Sequence, residues 1–197
     1  MYSTYIFPKK QVSLQDYYNE VRFTEDEINK ILEEVKPLPF QVAETVDNDE
    51  NKSTNKNIRS SQIKWIPKTN NWRCLYQRLM ECALIANEKW DFDLQSIIEE
   101  IQYTEYNASE EGHYDWHTDS GPTLQEHRKL TFVVGLSDPD DYEGGDLEFM
   151  VGRKTDIAKK ERGVVVAFPS FIEHRVTPVT AGVRYSAVGW ASGPSFR

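Results

Sequence analysis

Four residues in the second half of this 197-residue chain have types and spacings that can do chemistry: His117 and Asp119, then His174, then Arg184. Two imidazoles and one carboxylate form the facial ligand set of a non-haem Fe(II) centre, which keeps coordination positions open for O2 and a cosubstrate. Arg184 follows His174 by ten residues, so it could pair with the far carboxylate of an acidic cosubstrate held at the metal. Arginine suits that task because its planar fork meets a carboxylate in two parallel hydrogen bonds.

The local sequence can position these groups. Side chains two apart on a strand share a face, so His117 and Asp119 can reach one ion across Thr118. A lone His-x-Asp is common, and Asp119 could merely orient His117. His174 shifts the balance: it follows the buried-strand run Val164–Phe168 and the Pro169 turn, and starts the next strand. Zinc is the rival ion for two histidines and an aspartate, but no HExxH segment supports a hydrolase. A carboxylate in the set fits hydroxylation rather than halogenation. His113 and His127 lie among Glu110, Glu111 and Glu126 and are expected to be solvated.

The flanking elements follow from periodicity. Thr24 and Glu27 make a capping box, and Ile28, Ile31, Leu32 and Val35 recur at helical spacing until Pro37. A second helix is expected over about 72–87, with Leu75, Leu79, Cys82, Ala83 and Ala86 on one face. Between them, about 44–57 reads as a polar surface loop. From about residue 97 the period shortens, and strands are expected near 97–106, 114–118, 129–136, 146–151, 163–168, 173–177 and 184–191. Gly144-Gly145 reads as a tight hairpin turn, the acidic run Asp138–Glu143 as a solvated loop, and Ser120–Arg128 as a loop overhanging the site. The whole is expected to be one domain over 1–197. Residues 1–95 are its helix-rich support, and 96–197 a β core that carries the active site.

Composition narrows the function classes. The net charge is −9 with 39% hydrophobic residues, so a globular fold is expected and a basic nucleic-acid footprint is not. Cys74 and Cys82 lie two helical turns apart, too far for a disulfide. Both are read as core thiols of a reducing, cytoplasmic location. No apolar window is long enough to span a membrane, and Met1–Lys10 lacks the pattern of a secretion signal.

A family resemblance rests on residues in fixed order: Tyr106, Gly112, Tyr114, His117-Thr118-Asp119, Arg128-Lys129-Leu130-Thr131, Glu143-Gly144-Gly145-Asp146-Leu147-Glu148-Phe149, Phe168-Pro169, His174, Gly182, Arg184, Ser186 and Trp190. Over about 100–193 the chain resembles the prolyl 4-hydroxylase-like branch of the Fe(II)/2-oxoglutarate dioxygenases, especially the bacterial and phage PKHD-type hydroxylases. The N-terminal half is similar only at Arg59, Trp65 and 87–90.

The resemblance implies a mainly β protein with a double-stranded β-helix (jelly-roll) core and flanking helices. It also implies Fe(II), 2-oxoglutarate and O2 as cofactors, with ascorbate as a supporting reductant, and a product hydroxylated as succinate and CO2 leave. His117, Asp119 and His174 would ligate the metal. Arg184 would hold the cosubstrate's distal carboxylate, where the prolyl 4-hydroxylases proper usually have lysine. Thr131, Ser186 and either Tyr106 or Tyr103 would assist it. Tyr114, Trp116 and Trp190 would line the mouth for the primary substrate, expected to be a peptidyl proline, with a free small molecule as the alternative. A non-enzymatic binding module on the same fold is the third reading.

Overall fold

Strand pairing, rather than the helices, decides where the candidate residues meet. A computed structural model describes residue 17, residues 21–43, the backbone of 45–46 and 52–53, and residues 55–121 and 127–195. Met1–Lys10, much of the polar 44–57 stretch and the centre of the Ser120–Arg128 loop lie outside the described residues.

Helix α1 (Glu25–Glu34) starts at the Thr24 cap, where the Thr24 and Glu27 side chains satisfy each other's backbone N–H. That arrangement removes two of the four orphan donors at a helix start. Helix α2 (Arg73–Asn87) buries Leu75, Leu79, Cys82, Ala83 and Ala86, the face read from the sequence. Cys82 is in the core, but Cys74 is exposed. The expectation of two core thiols therefore holds for one, because position 74 falls on the opposite side of the first turn.

The remaining described elements are strands: β1 (Gln41–Val42), β2 (Thr45–Val46), β3 (Lys52–Ser53), β4 (Arg59–Ser60), β5 (Gln62–Ile66), β6 (Ile101–Asn107), β7 (His113–His117), β8 (Arg128–Gly135), β9 (Tyr142–Gly144), β10 (Leu147–Val151), β11 (Lys154–Ile157), β12 (Val165–Pro169), β13 (His174–Val176) and β14 (Val179–Ser192). A larger sheet has the order β1-β5-β6-β14-β8-β12, with β9 also on β14, and a smaller one has β11-β10-β13-β7-β4. Every pair within them is antiparallel. Two such sheets packed face to face are the jelly-roll core.

The alternation of β8 shows how the layers divide. Leu130, Phe132 and Val134 join the cluster that α1 and α2 cover. Val133, one position out of phase, joins Phe149, Val166, Phe168 and Val176 between the sheets. The larger sheet is thus buried on both faces, which is why β8 reads as a nearly continuous apolar run.

Two expectations are corrected. Residues before 95 are not only helical support: β5 pairs with β6 over five residue pairs, and β4 extends the smaller sheet. These strands are short and interleave lysine, glutamine and serine, so they carried little periodic signal. Gly144-Gly145 does not close a hairpin, because β9 belongs with the larger sheet and β10 with the smaller. The pair is the crossing between sheets, with φ of +71° and +62°, a region glycine enters without steric cost. A β-carbon on Gly145 would also lie 2.9 Å from Cδ of Arg184.

Residues 21–23 lie along the outer edge of β12. Val165 N–H donates to Val21 O at 2.9 Å and Phe23 N–H to Gly163 O at 2.7 Å, with an isolated bridge between Arg22 and Val164.

Phe132 has no exposed surface and faces the helix layer. Phe132→Ala should lower unfolding stability by about 3–5 kcal/mol, read as a shift of the denaturant midpoint with an unchanged slope.

Candidate metal centre and cosubstrate anchor

His117 ends β7 and His174 begins β13, and the two residues are directly paired across those strands. Asp119 follows just after β7, its N–H donating to Ser170 O at 2.8 Å. The donor atoms of His117, Asp119 and His174 all lie within 4.8 Å of one another. His117 Nε2 is 3.9 Å from one Asp119 oxygen and His174 Nε2 is 3.6 Å from the other. The carboxylate of Asp119 thus faces both imidazoles, as three ligands of one ion must.

The two rings are held in one tautomer. His117 Nδ1 lies 2.7 Å from Asp115 O, and His174 Nδ1 lies 2.9 Å from Ile172 O. A carbonyl can only accept, so Nδ1 carries the hydrogen and Nε2 offers its lone pair. Burial, helped by the charge of His174, pushes the His117 imidazole down to about 3, keeping it neutral and available as a ligand. For Asp119, burial alone would raise the carboxyl. His174, His117, Arg128 and the Thr131 hydroxyl outweigh that and hold it below its ordinary value. Two imidazole Nε2 atoms and one carboxylate are a donor set that fits Fe(II).

Arg184 sits on β14 opposite Tyr106 of β6. It is buried, with its guanidinium 5.3 Å from the Tyr106 ring centre and Nη1 donating to Ser186 Oγ at 3.3 Å. Among the described residues no carboxylate pairs with it. It lines a cleft with Gly145, Leu147, Val166, Lys160 and Glu161. The sequence left Tyr103 and Tyr106 open, and strand alternation separates them. Tyr103 points to the helix side, stacked on Tyr185 with its hydroxyl on Glu105 at 2.9 Å, so Tyr106 is the one beside Arg184.

Thr131 is also relocated. Its hydroxyl donates to Asp119 Oδ2 at 2.7 Å. It pairs across the sheet with Trp190, whereas Gly135 pairs with Ser186. Thr131 therefore steadies the carboxylate of Asp119.

Of the aromatics, Tyr114 stacks on His117 with centroids 3.5 Å apart. A register shift between β7 and β13 places it there, as a bulge re-aims side chains by one position. Burial pushes its phenol up to about 12, so it stays protonated. Trp190 is buried with an indole N–H that has no partner, an orphan donor on the Arg184 face of β14. Trp116 does not join them. It lies under Arg175 at 4.6 Å, and Arg175 bonds Glu148 at 2.6 Å, which puts it on the outer face of the smaller sheet.

Sequence reasoning gave no role to Arg128, Glu99 or Ser170. Arg128 meets Glu99 through Nε and Nη2 at 2.6 and 2.5 Å, donates to Asp119 O at 3.1 Å, and lies 4.0 Å over Trp190. Arg128 stood inside the family motif, but nothing in the sequence joined it to Glu99.

Residues 101–192 match the 2OG-Fe(II) oxygenase superfamily. Among curated relatives, a PKHD-type hydroxylase of Synechococcus sp. (strain JA-2-3B'a(2-13)) is 37% identical over 81 residues, covering 39% of this chain and 36% of that protein. The chain thus spans little more than a third of such relatives. A Pseudomonas putida prolyl-4-hydroxylase superposes with TM-score 0.66 at 20% identity, over 91% of this chain and 93% of that one. A prolyl hydroxylase from Trichoplax adhaerens, solved with a hypoxia inducible factor oxygen degradation domain peptide fragment, gives 0.70 at 17% identity, over 90% and 84%. At these identities the two structures speak for the fold.

Thr131→Val removes the hydroxyl that Asp119 accepts from and keeps the shape. Metal affinity, measured by anaerobic titration of the apoprotein, should fall about 10–100-fold.

Proposed function

We propose that this chain is an Fe(II)- and 2-oxoglutarate-dependent hydroxylase acting on a prolyl residue of a peptide or protein. The observation that carries the reading is the convergence of His117, Asp119 and His174, with both Nδ1 atoms tied to backbone, in a chain that also buries Arg184 with no carboxylate partner among the described residues. A structural zinc site would not need such a guanidinium.

His117, Asp119 and His174 would hold the iron, which when bound supplies O2 activation coupled to decarboxylation of 2-oxoglutarate to succinate and CO2. Arg184 would clamp the distal carboxylate through its fork, with Ser186 keeping the guanidinium oriented and Tyr106 closing one side. Thr131 would keep Asp119 pointed at the metal. Tyr114 and Trp190 would wall the mouth and exclude water from the reacting carbon. A peptidyl proline is supported by the PKHD-type relatives and by prolyl hydroxylases on this fold, one of them solved with a peptide.

The test is anaerobic titration of the apoprotein with Fe(II) and 2-oxoglutarate, followed by mass spectrometry after air is admitted. A visible charge-transfer band should need both components and weaken at least tenfold in apparent affinity in Arg184→Ala. His174→Ala should make no succinate. The product should be a proline-containing peptide heavier by one oxygen. Gain of the oxygen by a free metabolite instead would reassign the substrate, and the absence of a band from folded, iron-loaded protein would overturn the oxygenase reading.

A further inference from the structure

The buried cations of the described residues are Arg59, Lys64, Arg128, Lys129 and Arg184. Arg128 is answered by Glu99, and Lys64 by the carbonyls of Val35 and Lys36. Arg184 faces the cosubstrate cleft. Arg59 is different, for it lies at the metal side and no anion meets it.

Arg59 stands on β4, paired with Tyr114 of β7. Its guanidinium carbon is 4.5 Å from the Tyr114 ring centre, and Tyr114 in turn stacks on His117 at 3.5 Å. Guanidinium, phenol and metal-ligand imidazole therefore form one stack. Nε donates to Ser61 Oγ at 2.9 Å, which fixes the plane of the group. No hydrogen bond engages either terminal nitrogen, and Nη2 is fully enclosed with no partner. A buried donor left unpaired is costly, and a buried unpaired charge more so. Nη1 has no partner either and is not enclosed, so a carboxylate would meet the group there in a charge-assisted bond.

We infer that Arg59 is a specificity residue that takes a carboxylate of the primary substrate, so that the substrate is an acidic peptide with Asp or Glu next to the target proline. The inference rests on the hydroxylase reading above. Charge bookkeeping agrees with it. With a divalent ion on Asp119 and a dianionic cosubstrate on Arg184, Arg59 is the positive charge that remains. In a protein of net charge −9, a local cation is also what lets an acidic segment approach at all. Ser61 and Tyr114 are then the two contacts that orient the fork before substrate arrives.

The experiment uses the anaerobic Fe(II)–2-oxoglutarate complex of the full chain and two matched pairs of capped peptides, acetyl-Ala-Pro-Glu-amide against acetyl-Ala-Pro-Gln-amide and acetyl-Glu-Pro-Ala-amide against acetyl-Gln-Pro-Ala-amide. Affinities are read by calorimetry at low and high salt. In at least one pair the acidic member should bind ten times more tightly or better, with the gap narrowing as salt rises. Arg59→Gln should bring the pair within twofold. Arg59→Lys, which keeps the charge and loses the fork, should fall between. Circular dichroism of both variants separates loss of recognition from loss of fold, and the wild-type comparison needs no variant. Equal affinity for both members of each pair, binding of none of them, or discrimination that survives in folded Arg59→Gln would overturn the inference. The charge-transfer band keeps the two failures apart. A band without acid preference sinks the role of Arg59 alone, and no band sinks the hydroxylase reading and this inference with it.

Discussion

Two imidazoles can share an ion only if both present the same kind of nitrogen to it, unprotonated and aimed at one point. Here the backbone enforces that condition. The carbonyls of Asp115 and Ile172 take the Nδ1 hydrogens of His117 and His174, and the pairing of β7 with β13 sets the two histidines opposite each other. The tautomer is thus set by backbone carbonyls and the facing of the rings by sheet register, which a one-residue slip would reverse. Asp119 depends on the same framework, since Ser170 O, Arg128 and Thr131 hold its backbone and side chain. The chemistry needs three donors in one place, and the sheets are what put them there.

Around that point the buried charges have a direction. Arg184 lines a cleft, Asp119 lies with its two imidazoles, and Arg128 is locked to Glu99 over Trp190. Burying so much charge costs stability unless each group is matched. The matched groups, Arg128 with Glu99 and Asp119 with Thr131, form the frame. The unmatched groups face the places where ligands would enter. The contrast separates scaffold from site more sharply than burial does, because Arg128 and Arg184 are equally sunk.

Much of this was legible in the sequence. The capping box of α1, the buried face of α2 and the second-half strands followed from period and caps. His117, Asp119, His174 and Arg184 were found by donor chemistry and order. What escaped depended on pairing partners. Tyr103 and Tyr106 are equivalent on paper until the register sets Tyr106 opposite Arg184. Trp116 and Tyr114 look alike until a register shift turns one outward. The bond from Thr131 to Asp119 was invisible too, because family position does not reveal which oxygen a hydroxyl will find first. Glu99 and Arg59 sit on short polar segments with no periodic signal, and only the closed fold brings them to the site.

One feature outside the site bears on how the chain behaves in company. Strand β12 (Val165–Pro169) is buried throughout and lies at the end of the larger sheet. Left bare, such an edge is a template for pairing with another molecule. Residues 21–23 cover its start, with one backbone hydrogen bond to Val165 and one to Gly163 just before it. Pro169, which has no N–H to offer, blunts the far end of the same strand. A short N-terminal segment of no chemical importance therefore guards the most adhesive strand of the molecule. Removing residues 21–23 would uncover backbone N–H and C=O groups at the start of that edge while leaving the metal ligands in place.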